Sequence, residues 1–491
     1  MEKYLLDCLN DYTSSDAYPL HMPGHKRQIS HFSDPFAIDI TEIEGFDNLH
    51  HAEGILLEAQ KRASKLYGAD ETWYLVNGST CGILAAVSAS VRRGGRILMA
   101  RNCHKAAYHA AFLNGLQVTW LYPEIDMGTG ICGSISPGQV REALEALRQG
   151  DAPDTSQPLA VLLTSPTYVG VVSDIRAIAQ EVHRAGGILI VDEAHGAHFA
   201  MHPYFPESAL SCGADIVINS LHKTMPSLTQ TALLHVKGSR ADRERLRKYL
   251  DIYQSSSPSY VLMAGMDECV RMMETQGRKL FDAFVVRLET LREHLKKMQV
   301  LRLVTGDESE LQAFAYDASK IIIAVPDITG PDITVPPLTA ERFAEMPPCC
   351  ARRQVDPLME VRCAKSGSSN MAGGLAGAAD AAHADTPVPL PTAERFLKAA
   401  GDLADVSEDA SSDRVSTVFS GPMLGRILRE RYHLEPEMEA EHYVTAIMTV
   451  ADTQEGFDRL ERALLEIDEW LADLLTPRNQ KVRVILGEAW S

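Results

Sequence analysis

The chain has 491 residues, of which 45% are hydrophobic and 23% are charged, as is typical of globular proteins and not of disordered or fibrous ones. Its 47 basic and 66 acidic residues give a formal net charge of −19, which argues against a general binder of nucleic acid or of anionic membranes. No apolar run approaches the ~20 residues of a membrane helix, and we do not expect a signal peptide. Nine scattered cysteines without CxxC spacing predict reduced thiols, no metal site and a cytoplasmic protein.

Residues 1–54 are polar and irregular, and we predict that they form an N-terminal arm. The arm contains two motifs, HMPGHK at 21–26 and TEIEGFDNLHHAEG at 41–54, which together hold four of the 17 histidines. Clustered histidine with glycine and proline is found in surface loops and also in preformed linings of binding sites. Both interpretations remain open for this segment.

From residue 55 to about residue 237, short β-rich runs alternate with helical stretches. Near-continuous apolar strands separated by helices predict a largely parallel sheet that is covered on both faces. We therefore predict an α/β fold with a mostly parallel seven-stranded sheet, within a large domain at 55–300. In such sheets, ligands bind beyond the carboxyl ends of the strands. The predicted strands are 72–76, 96–100, 118–122, 159–165, 187–192, 215–219 and 232–236.

Residues 301–491 are predicted to form a smaller C-terminal α+β domain. Strand-like sequence occupies 301–325, and a helix, a strand and a second helix are predicted at 426–468. Between them, PDIT occurs twice in tandem, TAERF occurs twice, and Ala, Gly and Ser dominate 364–384. Such a composition does not form a core, so we predict a low-complexity insertion at about 326–415.

Two segments at the ends of predicted strands carry charged side chains that could take part in catalysis. Lys223 follows DIVIN in the segment SLHKTMPSLTQTA. It either lies on a solvated face, as most lysines do, or projects into the ligand crevice as a desolvated nucleophile. Asp192 ends the apolar strand GILIVD, where a carboxylate is costly unless it meets a positive partner. It is interpreted either as a helix cap or as the partner of a pyridinium nitrogen. His195 is placed to reach a cofactor ring or a substrate, and His198 is interpreted as structural.

Two further segments lie in equivalent places. Gly78, Ser79 and Thr80, in NGSTCGI, offer N–H groups and hydroxyls at a helix N-terminus, which suits either a phosphate or a simple cap. The GxGxxG and GK[ST] motifs of dinucleotide and ATP sites are absent from this segment. His104, in RNCHKAAYHA, could stack on an aromatic cofactor or be a core histidine. Together the four segments supply a phosphate turn, a stacking imidazole, a pyridinium carboxylate and a Schiff-base lysine, and they predict a pyridoxal 5′-phosphate (PLP) site.

These motifs resemble those of the Orn/Lys/Arg decarboxylases, which are PLP enzymes of the aspartate-aminotransferase fold (PLP fold type I). The resemblance runs from 21 to about 325 and resumes at about 417–468; it includes QSSSPSYVLMA at 254–264. It implies that Lys223 forms the Schiff base with PLP, that Asp192 pairs with the ring nitrogen and that His104 stacks on the ring. The residues that it assigns to the phosphate are Ser79, Thr80, Ser220 and His222.

The resemblance also implies a homodimer with the active site at the interface, in which Ser257 and its neighbours in the serine run reach the phosphate of the partner subunit. Because the chain begins with the arm, without the N-terminal wing of the long members, it is similar to the short members, which act on arginine or lysine. It ends at VRVILGEAWS, and the YPPGIP-like motif that family members carry near the substrate is absent from the sequence.

The expected reaction is the decarboxylation of arginine or lysine, and after them of ornithine, to CO2 and an amine that is a polyamine precursor. His195 or Lys223 would return a proton to the α-carbon. Two alternatives remain open. One is an aminotransferase or an aldolase-type lyase on the same fold, and the other is a PLP-binding relative without catalytic activity.

Overall fold

The computed structural model describes residues 4–32, 34–149, 159–308, 311–326, 328–329, 419–475 and 483–484. These residues belong to one compact unit, formed by 1–333 and 416–491. The predicted insertion at about 326–415 lies almost entirely outside the described residues. Within the described ranges, none of the helices is long and apolar enough to cross a membrane.

The helices and strands are numbered in chain order. The helices are α1 (Leu5–Ser14), α2 (Ile55–Tyr67), α3 (Gly78–Ser90), α4 (Lys105–Leu113), α5 (Pro137–Gln149), α6 (Ile175–Arg184), α7 (Leu221–Thr224), α8 (Arg243–Tyr253), α9 (Tyr260–Leu295), α10 (Gly421–Tyr432) and α11 (Gln454–Leu474). The strands are β1 (Tyr18–Leu20), β2 (Glu71–Leu75), β3 (Arg96–Ala100), β4 (Gln117–Leu121), β5 (Ala160–Thr164), β6 (Val171–Val172), β7 (Ile188–Asp192), β8 (Ile216–Asn219), β9 (Ala232–Val236), β10 (Arg302–Leu303), β11 (Ala315–Tyr316), β12 (Lys320–Ala324), β13 (Ile328–Thr329), β14 (Leu434–Pro436), β15 (Met438–Ala440), β16 (Tyr443–Ile447) and β17 (Arg483–Val484). Short 3-10 turns occur at Phe36–Ile38, Leu49–His51 and Phe199–Met201.

A seven-stranded sheet in the order β2-β9-β8-β7-β5-β3-β4 forms the centre of the fold. Strand β9 runs antiparallel to both of its neighbours, and the other strand pairs are parallel. Strands β7, β8 and β9 are buried along their whole length because their sequences are almost entirely apolar. The predicted α/β fold with a mostly parallel seven-stranded sheet is confirmed, and each predicted strand agrees with the structure to within one residue at either end.

A second sheet, β10-β12-β16-β15, is four-stranded and antiparallel. Helix α9 is 36 residues long and lies against α2 and α11, so it connects the elements around both sheets. The predicted helix, strand and helix at 426–468 correspond to α10, β16 and α11, with two further short strands between α10 and β16. The division into domains at 54/55 and 300/301 stays a prediction.

The N-terminal arm is more ordered than the sequence indicated. The prediction of an irregular segment was wrong for α1, a ten-residue helix none of whose residues is buried. Strand β1 pairs in parallel with β14, so that Tyr18 lies opposite Leu434. Pairing with a strand more than 400 residues away could not be inferred from local sequence.

Candidate active site

The four segments singled out in the sequence follow strands of the seven-stranded sheet that point in the same direction. Strand β2 leads into α3, β3 leads to His104, β7 ends at Asp192, and β8 leads into α7, which carries Lys223. The carboxyl ends of these strands lie at one edge of the sheet, where α/β folds bind their ligands. The fold therefore brings the four predicted segments to one place.

Lys223 makes the central contact of the site. Its Nζ lies 2.9 Å from Nε2 of His195. Burial lowers the pKa of the Lys223 amine, Lys320 lowers it further, and the carboxylates of Asp192 and Glu437 act in the opposite direction. A lysine with a lowered pKa holds a larger fraction of its amine unprotonated, which is the nucleophilic form.

His195 is buried, and its pKa lies well below the ordinary value because of burial and then of the nearby Lys223. The imidazole is therefore neutral. An ammonium group has no acceptor, so a protonated Lys223 donates to Nε2 and the proton of the ring lies on Nδ1. That Nδ1 has no hydrogen-bond partner within the described residues. The ring of Tyr168 meets the imidazole edge to face, with 5.0 Å between the ring centroids.

Asp192 is 3% exposed at the end of β7, and its Oδ1 accepts a hydrogen bond of 3.2 Å from the Ala194 N–H. Burial raises the pKa of this carboxyl, whereas Lys223, the Ala194 N–H and His104 lower it. A buried carboxylate is favoured when it meets a positive partner. A protonated ring nitrogen would be such a partner.

The predicted phosphate turn lies at the N-terminus of α3. Gly78 has a φ of +75°, which is in the left-handed region that glycine adopts at no steric cost. Ser79 is partly buried and Thr80 is exposed, both in the first turn of the helix. Free backbone N–H groups at a helix N-terminus attract an anion.

Ser220 and His222 lie in the segment between β8 and Lys223. The Ser220 hydroxyl is buried and has no hydrogen-bond partner in the described part of the chain. An unsatisfied buried hydroxyl is costly, and a ligand oxygen would satisfy it. Nδ1 of His222 contacts the backbone oxygen of Thr231 at 2.9 Å, which fixes the orientation of the ring.

The serine run beside the phosphate turn contains Ser257, which is exposed. The Ser255 N–H donates a 3.1 Å hydrogen bond to Oδ1 of Asn77, the residue that precedes α3. Within one chain, the run therefore lies next to the phosphate turn. Its contact with a partner subunit stays a prediction.

His104 caps α4, a role that its sequence motif does not indicate. Its Nδ1 accepts a 3.2 Å hydrogen bond from the Ala106 N–H. Partial burial lowers the pKa of the imidazole, and the nearby Asp192 acts in the opposite direction. The ring lies within the electrostatic reach of Asp192 and Lys223, and its stacking on a cofactor stays a prediction.

The donor set of the site fits PLP. The unpartnered hydroxyl of Ser220 and the N-terminus of α3 suit its phosphate. The buried Asp192 suits its ring nitrogen, and the Lys223 amine, with its lowered pKa, suits its aldehyde.

The chain is similar to known proteins in both sequence and fold. Residues 4–322 match the family model described as the Orn/Lys/Arg decarboxylase major domain. The chain belongs to the Orn/Lys/Arg decarboxylase family. Its relatives include the uncharacterised protein YaaO of Bacillus subtilis, 40% identical over 303 residues, which are 60% of this chain and 61% of YaaO. An arginine decarboxylase of Bacillus cereus is 32% identical over 342 residues, which are 67% of this chain and 72% of that protein.

Solved structures support the fold. The lysine decarboxylase LdcF of Francisella novicida has a TM-score of 0.63 and 17% identity over 91% of this chain and 55% of LdcF. A serine palmitoyltransferase variant from S. paucimobilis, solved with a bound PLP–myriocin aldimine, has a TM-score of 0.55 and 12% identity over 93% of this chain and 88% of that one. The chain thus spans about three fifths of YaaO and just over half of LdcF.

Glu193, a buried acidic residue next to Asp192, was not predicted from the sequence to support the site. Oε1 of Glu193 accepts a 2.7 Å hydrogen bond from the Ala209 N–H, and Oε2 accepts one of 3.0 Å from Nδ2 of Asn219. Burial raises the pKa of Glu193 to about 8. Because Asn219 ends β8, Glu193 ties the Asp192 segment to the Lys223 segment. An acidic pair at the end of an apolar strand is the one local pattern that could have indicated it.

An ion pair near the backbone of His195 was also not predicted from the sequence. Nζ of Lys320 lies 2.9 Å from Oδ2 of Asp317, and both side chains are fully buried. Nε2 of His198 lies 3.1 Å from Oδ1 of the same carboxylate, which fits its interpretation as structural. Lys320 Nζ also lies 3.5 Å from the backbone oxygen of His195. The ion pair therefore supports the loop that presents His195 to Lys223.

The third missed feature is Glu437, which lies between β14 and β15. Its Oε1 accepts a 2.5 Å hydrogen bond from the Tyr168 hydroxyl, and its Oε2 accepts one of 2.7 Å from the Met22 N–H. The carboxylate raises the pKa of Lys223, so it lies within electrostatic reach of the site. Glu437 follows the long predicted insertion, and its local sequence contains no recognisable motif.

Proposed function

We propose that the protein is a PLP-dependent decarboxylase of arginine or lysine, with ornithine as a third candidate. The observation that carries the proposal is the contact of the Lys223 amine with His195 beside the buried Asp192, at the ligand-binding edge of the sheet. PLP, when bound, supplies a protonated pyridine ring that takes up the electron pair left by departing CO2. Relatives named arginine and lysine decarboxylases support the same reaction class.

Each residue of the site has a distinct task in this proposal. A carboxylate oxygen of Asp192 holds the proton of the ring nitrogen, aided by a buried position that excludes competing water. The neutral His195 exchanges a proton with Lys223 through the 2.9 Å contact between Nε2 and Nζ. Either group can then return a proton to the α-carbon of the product. The N-terminus of α3 and the Ser220 hydroxyl bind the phosphate.

The choice of a basic amino acid is supported by Glu437. Tyr168 and the Met22 N–H hold its two carboxylate oxygens in a fixed orientation. A guanidinium or an ammonium group at the end of the substrate side chain would form a charge-assisted hydrogen bond with such a carboxylate. An aliphatic substrate would leave the carboxylate without a positive partner, at a cost in free energy.

The proposal extends to assembly and location. The protein acts as a homodimer in the cytoplasm, with the exposed serine run around Ser257 reaching the phosphate of the other subunit. Its product amine is a polyamine precursor. The Ser255 N–H contacts Asn77 of its own chain, so the reach to the other subunit is proposed from the family resemblance alone.

The full-length protein, loaded with PLP, is incubated with arginine, lysine and ornithine separately, and CO2, amine and keto acid are measured. We expect CO2 and amine in equal amounts from arginine or lysine. The Lys223→Ala protein should lose turnover, because it lacks the amine that would hold PLP. The Lys237→Ala protein should retain turnover, because Lys237 is exposed and directly follows β9. Formation of keto acid would favour an aminotransferase, and PLP binding without turnover would favour an inactive relative; either result contradicts the proposal.

A further inference from the structure

The HMPGHK motif at 21–26, which we call the strap, lies directly on the turn that carries Lys223. The Gly24 N–H donates a 2.7 Å hydrogen bond to the backbone oxygen of His222. The approach is so close that a Cβ on Gly24 would lie 2.7 Å from the backbone oxygen of Met225 and 2.9 Å from its nitrogen. A side chain larger than that of glycine therefore does not fit between the strap and the Lys223 turn.

The opposite side of the strap is bound to the four-stranded sheet and the segment after it. Nζ of Lys26 donates to the backbone oxygen of Ile447 at 2.6 Å and to that of His21 at 2.9 Å. The Thr449 hydroxyl donates a 2.8 Å hydrogen bond to the backbone oxygen of Gly24. The Met22 N–H donates a hydrogen bond to Oε2 of Glu437. The strap thus contacts the Lys223 turn and the Glu437 carboxylate at the same time.

The strap differs from an ordinary surface loop in having a buried lysine and a left-handed backbone conformation. Lys26 is 1% exposed, and burial lowers the pKa of its amine. Lys26 and Arg27, the residue that follows the strap, have φ values of +53° and +59°, in the left-handed region that residues with a side chain rarely adopt. Strained and buried charged residues persist where the surrounding structure imposes them, and they are concentrated at functional sites.

We propose that the strap sets the distance between the Lys223 amine and the Glu437 carboxylate, and thereby selects the length of the substrate side chain. Lys26 and Thr449 are its positioning residues. The proposal rests on the proposed function for the class of substrate. Lysine and ornithine differ by one methylene group, and a difference of that size changes enzyme selectivity by about 10- to 200-fold. A displacement of about 1 Å between two binding groups is enough to misplace a substrate.

The test compares two substitutions on the same stretch of chain. Thr449→Val removes the hydrogen bond to Gly24, and with it an acceptor of the Ala451 N–H. Thr445→Val is the matched control, because Thr445 is fully buried in β16 and its hydroxyl has no partner among the described residues. Lys26→Met is a second, independent variant, since it removes a different contact of the strap. Thermal unfolding of all three proteins identifies any variant that fails to fold.

The measured quantity is the ratio of kcat/KM between the preferred basic amino acid and the next best one. We expect this ratio to change by about tenfold or more in the Thr449→Val and Lys26→Met proteins, and to stay at the wild-type value in the Thr445→Val protein. An unchanged ratio in a folded Thr449→Val protein would overturn the proposal. This conclusion holds even if the Lys26→Met protein does not fold, because it depends on the Thr449→Val protein alone.

The dissociation constant of PLP gives a readout that does not depend on turnover. Because the strap contacts the Lys223 turn, we expect the Thr449→Val protein to bind PLP several-fold more weakly than the Thr445→Val protein. If the wild-type protein turned over no basic amino acid, the proposed function would fail. The role of the strap would then be judged from the PLP dissociation constants alone. Equal PLP affinity in the Thr449→Val and Thr445→Val proteins would then overturn the role of the strap.

Discussion

The buried ion pair between Lys320 and Asp317 makes a quantitative prediction possible. Both side chains have 0% exposure, and Nζ lies 2.9 Å from Oδ2. Lys320→Met keeps most of the side-chain volume and removes the charge. The Asp317 carboxylate would retain Ser319 and His198 as partners, but the pKa of His198 is lowered by burial, so that His198 compensates the charge poorly. Breaking a buried pair in this way costs about 3–5 kcal/mol.

The free energy of unfolding would be measured by urea denaturation with linear extrapolation. The control is Lys61→Met, because Lys61 forms a pair of similar length with Glu58 in which both side chains are about 60% exposed. Such surface pairs contribute about 1 kcal/mol or less. The double variant Asp317→Asn/Lys320→Met should be more stable than Lys320→Met alone, because no unpaired charge remains. A loss below about 1 kcal/mol for Lys320→Met, equal to that of the control, would refute the reasoning.

Three further predictions concern the site and its supports. The pKa of Glu193 rises from 4.5 to about 8 on folding, so the stability that its neutral form contributes is complete below pH 4.5 and is lost as the pH rises through 8. In the Glu193→Gln protein, the free energy of unfolding measured by urea denaturation should fall less between pH 5 and pH 8 than in the wild-type protein. Glu437→Gln should raise KM for a basic amino acid by about 10- to 100-fold with little change in PLP affinity, as measured by steady-state kinetics and PLP titration. Gly24→Ala should destabilise the protein by about 1–3 kcal/mol, because its Cβ would lie 2.7 Å from the Met225 oxygen.

The central sheet could be predicted because each buried strand carries its own pattern. Strands such as β7 and β8 are continuous apolar runs, and their bounds follow from where the run ends. Asp192 and Lys223 could be placed for the same reason. A polar residue at the carboxyl end of a buried parallel strand, or in the first turn after it, lies at the ligand-binding edge of the sheet.

The supporting residues could not be predicted, because their partners are distant in the sequence. Glu437 is held by Met22 and Tyr168, which lie 415 and 269 residues away. Lys320 meets the loop of His195 across 125 residues. The local sequences around these residues contain no periodicity or motif that records such contacts. The helix α1 was missed for a different reason: Leu5, Leu9 and Tyr12 stand at helical spacing, but the pattern covers only ten residues, none of which is buried in the structure.

The electrostatics of the site also differ from what composition indicates. A net charge of −19 would by itself favour the protonated form of every lysine and raise its pKa. The pKa of Lys223 is nevertheless lowered, first by burial and then in part by Lys320. Charges farther away than about 8 Å are screened by salt, whereas a buried neighbour is not. The pKa of Lys223 therefore depends on a few buried groups around it. An acidic chain can contain a lysine with a lowered pKa, because salt screens the distant charges but not the buried neighbours.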